Sequence, residues 1–411
     1  MSIVLFHVFF TQLKTLRSYI LNMSCSLPTA ERLALREEEH KCPKSSAPPE
    51  VLEDLWQKQI RKIDKLLLSG GSSRGYSYIG LIQYLEKVGI RPQLKFLVGT
   101  SIGALVVSLL NLGYSGQEME IAFRDYDYEK YQSVDLMSIF EKFGMDNFEK
   151  TLQFIRQLFI KKGFSPDITF QTLYERTHQH LVINAVCLNI PASVFFDYIK
   201  TPEMPVITAI QASMSLPYIF ATVTYQGLTY SDGGILNNFA IDCEIFNCDP
   251  ETILAVSLHN PNTRSVKEIT TLDQFTVQIM TCIGKLTAGN FDRCPVNSHL
   301  IKISAPQFHT LSLSLSPDDK KFLKTIGYER TQQYFEKTLK DRLQTQWVQE
   351  QHKRRVMERR NQIRDRKTQI EAQTYQSFLD LLGEGKVEEL KVTLEKKLTE
   401  TNSKLSSNQK I

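Results

Sequence analysis

Three short stretches carry the residue types that an acyl-transfer site needs: a nucleophile, a base and a set of free amide donors. Gly99-Thr100-Ser101-Ile102-Gly103 is a GxSxG between an apolar strand-like run and an apolar helix-like run. Small residues two positions before and after the serine relieve crowding at a sharp strand-to-helix turn, so Ser101 projects at a helix N-terminus. A serine hydroxyl is a weak nucleophile, and a base must lie within hydrogen-bond reach of it. Tyr230-Ser231-Asp232-Gly233-Gly234 offers Asp232, a carboxylate at the end of a predicted strand, followed by two glycines that permit a tight turn. His259, just after the apolar run Ile253–Leu258, is a second candidate base. The order Ser101, Asp232, His259 fits the nucleophile, acid, base sequence of a triad. The residues alone leave both bases open.

The donors point to the stretch Leu66–Gly80, LLLSGGSSRGYSYIG. An apolar strand, a Gly-rich turn and a helix start make an anion cradle, because unpaired backbone N–H groups converge there and the helix dipole adds positive potential. A P-loop is excluded by Tyr76, which stands where that motif needs lysine. A dinucleotide fingerprint is excluded by Ser72 in place of glycine, and by the lack of an acidic residue at the end of the run Leu94–Val98. A transient oxyanion remains as the anion that Gly70, Gly71, Ser72, Ser73, Arg74 and Gly75 would hold.

The elements that must position these groups alternate. Strand is predicted at Lys65–Ser69, helix at Gly75–Val88, strand at Lys95–Val98 and helix at Ile102–Leu112, a βαβα order that implies a mostly parallel sheet with helices on both faces. The window Leu94–Leu112 is apolar enough for a membrane span, but its short strand, small-residue turn and apolar helix mark the buried centre of an α/β sheet. The aromatic and charged stretch Gln117–Lys162 has helical spacing without an obvious strand, and is placed to cap the site. Strands resume at Leu181–Asn189 and Val194–Asp197, followed by a helix near Val206–Ser215, a strand pair across Ala221–Tyr230, and further buried strands at Ile253–Leu258 and Leu300–Ile303.

With 411 residues, 42% of them hydrophobic and 23% charged, the chain buries a large core. A net charge of +4 over that length is far from the density of a nucleic-acid binder, and no nucleic-acid partner is expected. Seven scattered cysteines form no CxxC and no zinc-spaced cluster with histidine, which suits a reducing compartment. Residues 1–60 read as an N-terminal leader and linker. The apolar window 1–21 lacks a basic n-region and a small-residue cleavage site, leaving a membrane-surface helix or a dispensable leader as its readings. Residues 318–411 read as a helical extension with a basic run, QHKRRVMERRNQIRDR, at Gln351–Arg366. That run is either a solvated helix or a surface for anionic lipid or a protein partner.

Taken together, the loop Ser69–Gly75, the elbow Gly99–Gly103 and the Asp232-Gly233-Gly234 turn resemble the patatin-like phospholipase family. The segments Thr169–Thr177 and Ala212–Phe220 are similar to its connecting core, and the resemblance covers Lys65 to about Ser304. It implies a three-layer α/β/α domain over residues 65–304 with a mostly parallel central sheet. It also implies a Ser101/Asp232 dyad without histidine, an oxyanion loop at Gly70–Gly75, and no metal or cofactor. The implied substrate is a phospholipid or other acyl lipid; composition and the basic tail add the expectation of a peripheral membrane surface, and the cysteine usage that of the cytoplasmic side. The family's loop has three consecutive glycines, whereas the third here is Ser72, whose Cβ resists a positive φ. A non-catalytic lipid binder and an acyl transferase are the alternatives that the same residues allow.

Overall fold

The computed structural model describes residues 46–133, 137–259, 268–287, 292–308, 314–383 and 392. The apolar window 1–21 and most of the chain beyond Gly383 lie outside them. Helix α1 (Pro49–Lys62) leads into β1 (Lys65–Leu68), where Leu66, Leu67 and Leu68 are fully buried. Each such side chain contributes roughly 1.5–3 kcal/mol relative to exposure, which explains a strand too short to be specified by propensity. A 3-10 turn over Ser72–Tyr76 runs straight into α2 (Ser77–Lys87), and β2 (Phe96–Thr100) turns sharply at Ser101 into α3 (Ile102–Asn111). The window Leu94–Leu112 thus folds as strand, elbow and buried helix. No helix among the described residues is long and apolar enough to cross a membrane.

The aromatic stretch folds as α4 (Gly116–Arg124), the short α5 (Tyr128–Tyr131) and α6 (Ser138–Lys142), then β3 (Gly144–Asp146) and α7 (Glu149–Lys161). The strand was not expected there. After α8 (Phe170–Thr177) come β4 (His180–Cys187), β5 (Ala192–Phe196), α9 (Val206–Met214), β6 (Tyr218–Phe220), β7 (Val223–Tyr225) and β8 (Leu228–Asp232). Strand β3 pairs in parallel with β6 as a separate ribbon. The chain continues through β9 (Ile253–His259), α10 (Leu272–Thr287), β10 (His299–Ser304) and α11 (Pro317–Gln333). A π-helical turn at Tyr334–Leu339 then opens α12 (Lys340–Gly383), on which Lys353, Arg354 and Arg355 are exposed.

The protein is α/β with a mostly parallel central sheet. Strands β10, β9, β1, β2 and β4 are parallel neighbours in that order, while β5 and β8 pair antiparallel with β4 and β7 with β8. The register on β4 is what matters for function. Residues Ile183–Cys187 pair with β5, His180–Asn184 pair with β2, and Ala185–Cys187 pair with β8. Since β5 occupies one edge throughout its overlap with both, β2 and β8 share the opposite edge end to end. Thr100 lies opposite Asn184 and Asp232 lies opposite Ala185, so the two strands meet nose to nose.

Sheet and site both fall within Glu50–Asp341, one of two compact units of the chain. In that unit α11 packs on α2 at a crossing where Gly80 and Gly327 face each other's helix. A Cβ on Gly80 would run into Lys324 O and Tyr328 N, and one on Gly327 into Ser77 O. Backbones approach this closely only where side chains are missing.

Candidate active site

Ser101 and Asp232 occupy the junction where β2 and β8 leave the edge of β4. Ser101 holds φ 55° and ψ −126°, a conformation that L-residues rarely adopt. Glycines on either side allow it. A Cβ on Gly99 would strike Gly103 O and the Ala104 backbone, and one on Gly103 would strike Leu68 O and Ser69 O. Gly233 backs onto Asn184 in the same way. These three serve packing, and the residues they flank face the cavity.

The Ser101 hydroxyl donates to Asp232 Oδ2 at 2.7 Å, and the Gly234 N–H donates to Asp232 Oδ1 at 2.7 Å. Both carboxylate oxygens are therefore fixed. Asp232 is almost wholly buried, and burial raises its pKa from 3.8 to about 6, with the bonds from Ser101 and Gly234 pulling the other way. A carboxyl in this range ionises close to neutrality and can take a proton from a hydroxyl.

The Gly-rich turn lies beside this pair. Gly70, Gly71, Ser72, Ser73, Arg74, Gly75, Ser101, Asp232 and Gly234 line one cavity of about 310 Å³. The Gly70 N–H donates to Asn238 O at 3.3 Å, and Asn238 Nδ2 returns a bond to Gly70 O at 3.2 Å. The Gly71, Ser72 and Ser73 amides have no acceptor among the described residues. Ser72 sits at φ 54°, in the left-handed region that glycine would occupy without strain. Its Oγ and that of Ser73 are buried without a partner in the described residues, so these side chains do not fix the loop. Arg74 is buried, donates from Nε to Gly71 O at 3.1 Å, and has its pKa lowered by burial. The turn is seated from below by Tyr78, whose hydroxyl donates to Ser69 O at 2.7 Å, and by Ser69 Oγ, which accepts the Leu258 N–H at 3.0 Å.

The rest of the cavity is apolar. Phe123, Tyr126, Phe148 and Phe154 from the aromatic stretch and Phe220 from β6 form one wall. Phe148 meets Phe220 edge-on with ring centres 4.8 Å apart, and Tyr126 lies 4.9 Å from Phe154. Asp146 secures this wall by accepting from the Tyr128 hydroxyl and the Phe148 N–H, each at 2.8 Å. The arrangement can hold an extended apolar chain with its polar end at Ser101.

His259 ends β9, opposite Ser304 in register. In a triad an imidazole stands between hydroxyl and carboxylate, whereas here the hydroxyl donates to the carboxylate directly. Sequence reasoning missed Asn184, Ser213 and Asn238. Ser213 and Asn238 lie within or just beyond recognised segments, yet nothing in a single sequence marks an uncharged residue as a clamp.

Residues 66–243 match the family described as Patatin-like phospholipase. A protein of Acanthamoeba polyphaga mimivirus, described as uncharacterized protein R571, is 28% identical over 205 residues, covering 49% of this chain and 67% of that one. The "probable lipid hydrolase 463L" of Invertebrate iridescent virus 6 is 32% identical over 186 residues, 44% of this chain and 62% of its own length. VipD of Legionella pneumophila superposes with a TM-score of 0.46 at 17% identity, with 67% of each chain covered. The chain spans about two-thirds of the length of these relatives.

Proposed function

We propose that the chain hydrolyses acyl ester bonds of phospholipids or other glycerolipids, a reading supported by the match of residues 66–243 to the family described as Patatin-like phospholipase. The observation that carries this reading is the direct 2.7 Å hydrogen bond from Ser101 to the buried carboxylate of Asp232 beside the free amides of a Gly-rich turn. Asp232 takes the hydroxyl proton as Ser101 Oγ attacks the ester carbonyl, and the new oxyanion is held by the amides of Gly71, Ser72 and Ser73. Arg74 adds positive potential beside it. Collapse of the tetrahedral intermediate breaks the ester C–O bond, and Asp232 returns the proton to the departing alcohol. Water, deprotonated by the same carboxylate, then attacks the acyl-enzyme and releases the fatty acid with Ser101 restored.

The apolar wall formed by Phe123, Phe148, Phe154 and Phe220 supports an acyl chain as the group bound next to the serine. The substrate is taken from a membrane surface, which the chain meets peripherally; co-sedimentation with phospholipid vesicles tests this, and recovery of all the protein in the supernatant would contradict it.

Mass spectrometry of lipid products from mixed phospholipid and neutral-lipid vesicles tests the reaction itself. Wild-type protein is expected to release free fatty acid and the matching deacylated lipid, and Ser101→Ala to release neither. Equal release by Ser101→Ala would overturn the proposal. Acyl transfer to added alcohol in place of fatty acid would assign a transferase to the same acyl-enzyme.

A further inference from the structure

We infer that Ser213, at the end of α9, is a positioning residue whose hydroxyl is spliced into the sheet ladder to hold the Ser101 elbow open. The inference rests on Ser101 and Asp232 being the reacting pair. Where β2 leaves the edge of β4, two backbone groups lose their ladder partners, the Ser101 N–H and the Asn184 C=O. Both are satisfied by one side chain: the Ser101 N–H donates to Ser213 Oγ at 2.8 Å, and Ser213 Oγ donates to Asn184 O at 2.6 Å. A hydroxyl has one proton and two lone pairs, so its orientation here is fully determined by a donor that cannot accept and an acceptor that cannot donate. Ser213 is fully buried, as is Asn184, and no water replaces it without entering the core.

Two residues on, the chain makes the corresponding contact with the other partner. Ser215 O accepts the Asp232 N–H at 3.0 Å and the Ser231 hydroxyl at 2.7 Å. Ser213 and Ser215 lie on either side of the point where α9 ends. The C-terminal end of one helix therefore holds the amides of both reacting residues, and the 2.7 Å separation of Ser101 Oγ and Asp232 Oδ2 depends on it as well as on β4. Without the Ser213 hydroxyl the Ser101 N–H loses its acceptor, while the Ser101 C=O keeps its bonds from the Ala104 and Leu105 N–H groups; the strained elbow is then held from one side only and relaxes away from the carboxylate.

The test compares Ser213→Ala and Ser213→Thr in the full chain, using a soluble p-nitrophenyl ester. Ser213→Ala is expected to lower kcat by about 10- to 100-fold, the scale of an ångström-level misplacement, with KM changed less than about threefold because the acyl wall is untouched. Ser213→Thr, which keeps the hydroxyl, is expected to recover most of the loss. A kcat for Ser213→Ala equal to wild type, or a rise in KM without loss of kcat, would overturn the inference. A crystal structure of Ser213→Ala reads the same claim without turnover. Ser101 Oγ is expected beyond about 3.5 Å from Asp232, and an unchanged contact would overturn the inference even for a protein that hydrolyses nothing. If the wild-type chain is inactive, the hydrolase reading fails while this structural comparison still decides the role of Ser213.

Discussion

At the scale of single residues, the site depends on a carboxylate placed where it is expensive to ionise. Asp232 has a pKa raised by burial from 3.8 to about 6, with no charged neighbour among the causes. It must be ionised to accept a proton, so hydrolysis of a soluble ester is expected to rise with pH and reach half its plateau near pH 6. The same shift fixes the sign of its effect on stability. Between about pH 3.8 and 6 the native state holds more proton than the unfolded state, so stability falls as pH rises through that window. Asp232→Asn removes this penalty. At pH 8 the variant is expected to be more stable than wild type by on the order of 1–3 kcal/mol, with the gap shrinking toward pH 4 and activity reduced about 100- to 10,000-fold. Thermal melts at both pH values check this, and a variant less stable than wild type at pH 8 would contradict it. Ser72, like Ser101, is under backbone tension: at φ 54° it bears a left-handed conformation that typically costs about 1–2 kcal/mol. On the proposed mechanism, the direction of its amide, more than its side chain, serves the oxyanion.

At the scale of elements, placing the pair is a matter of register. Strands β2 and β8 abut on one edge of β4, with consecutive residues Asn184 and Ala185 opposite Thr100 and Asp232. The Gly-rich turn runs straight into α2, which is backed by the α2–α11 crossing. A Cβ at position 327 would collide with Ser77 O, at the first residue of α2. Gly327→Ala is expected to cost about 1–3 kcal/mol by overpacking and to lower activity further by shifting the start of α2 and the adjoining turn. Melting and esterase assays on this variant test the coupling, and a destabilised protein with unchanged kcat would contradict it.

Much of this was legible beforehand. The buried strands β1 and β2, the elbow at Ser101 and the helix after it followed from apolar runs bounded by small residues, and their boundaries moved by only one or two positions. The β3–β6 ribbon was hidden because three-residue strands leave no periodic trace within aromatic, helix-spaced sequence. The end-to-end meeting of β2 and β8 is a long-range register, which local patterns do not encode. Ser213 and Asn238 were hidden for a related reason: a serine or asparagine clamp is defined by what it touches.

At the scale of the whole molecule, Ser101 and Asp232, the Gly-rich turn and an apolar wall line one cavity. The mild net charge of +4 is carried unevenly, with exposed Lys353, Arg354 and Arg355 on the long helix α12. The central claim is that Asp232 activates Ser101 without a histidine between them. The rate of covalent labelling by a fluorophosphonate, with the modified peptide identified, measures this most directly. The account predicts a single adduct on Ser101 in wild type, labelling slowed at least about 100-fold in Asp232→Ala, and an unchanged rate in His259→Ala. Wild-type labelling in Asp232→Ala, or its loss in His259→Ala, would contradict it.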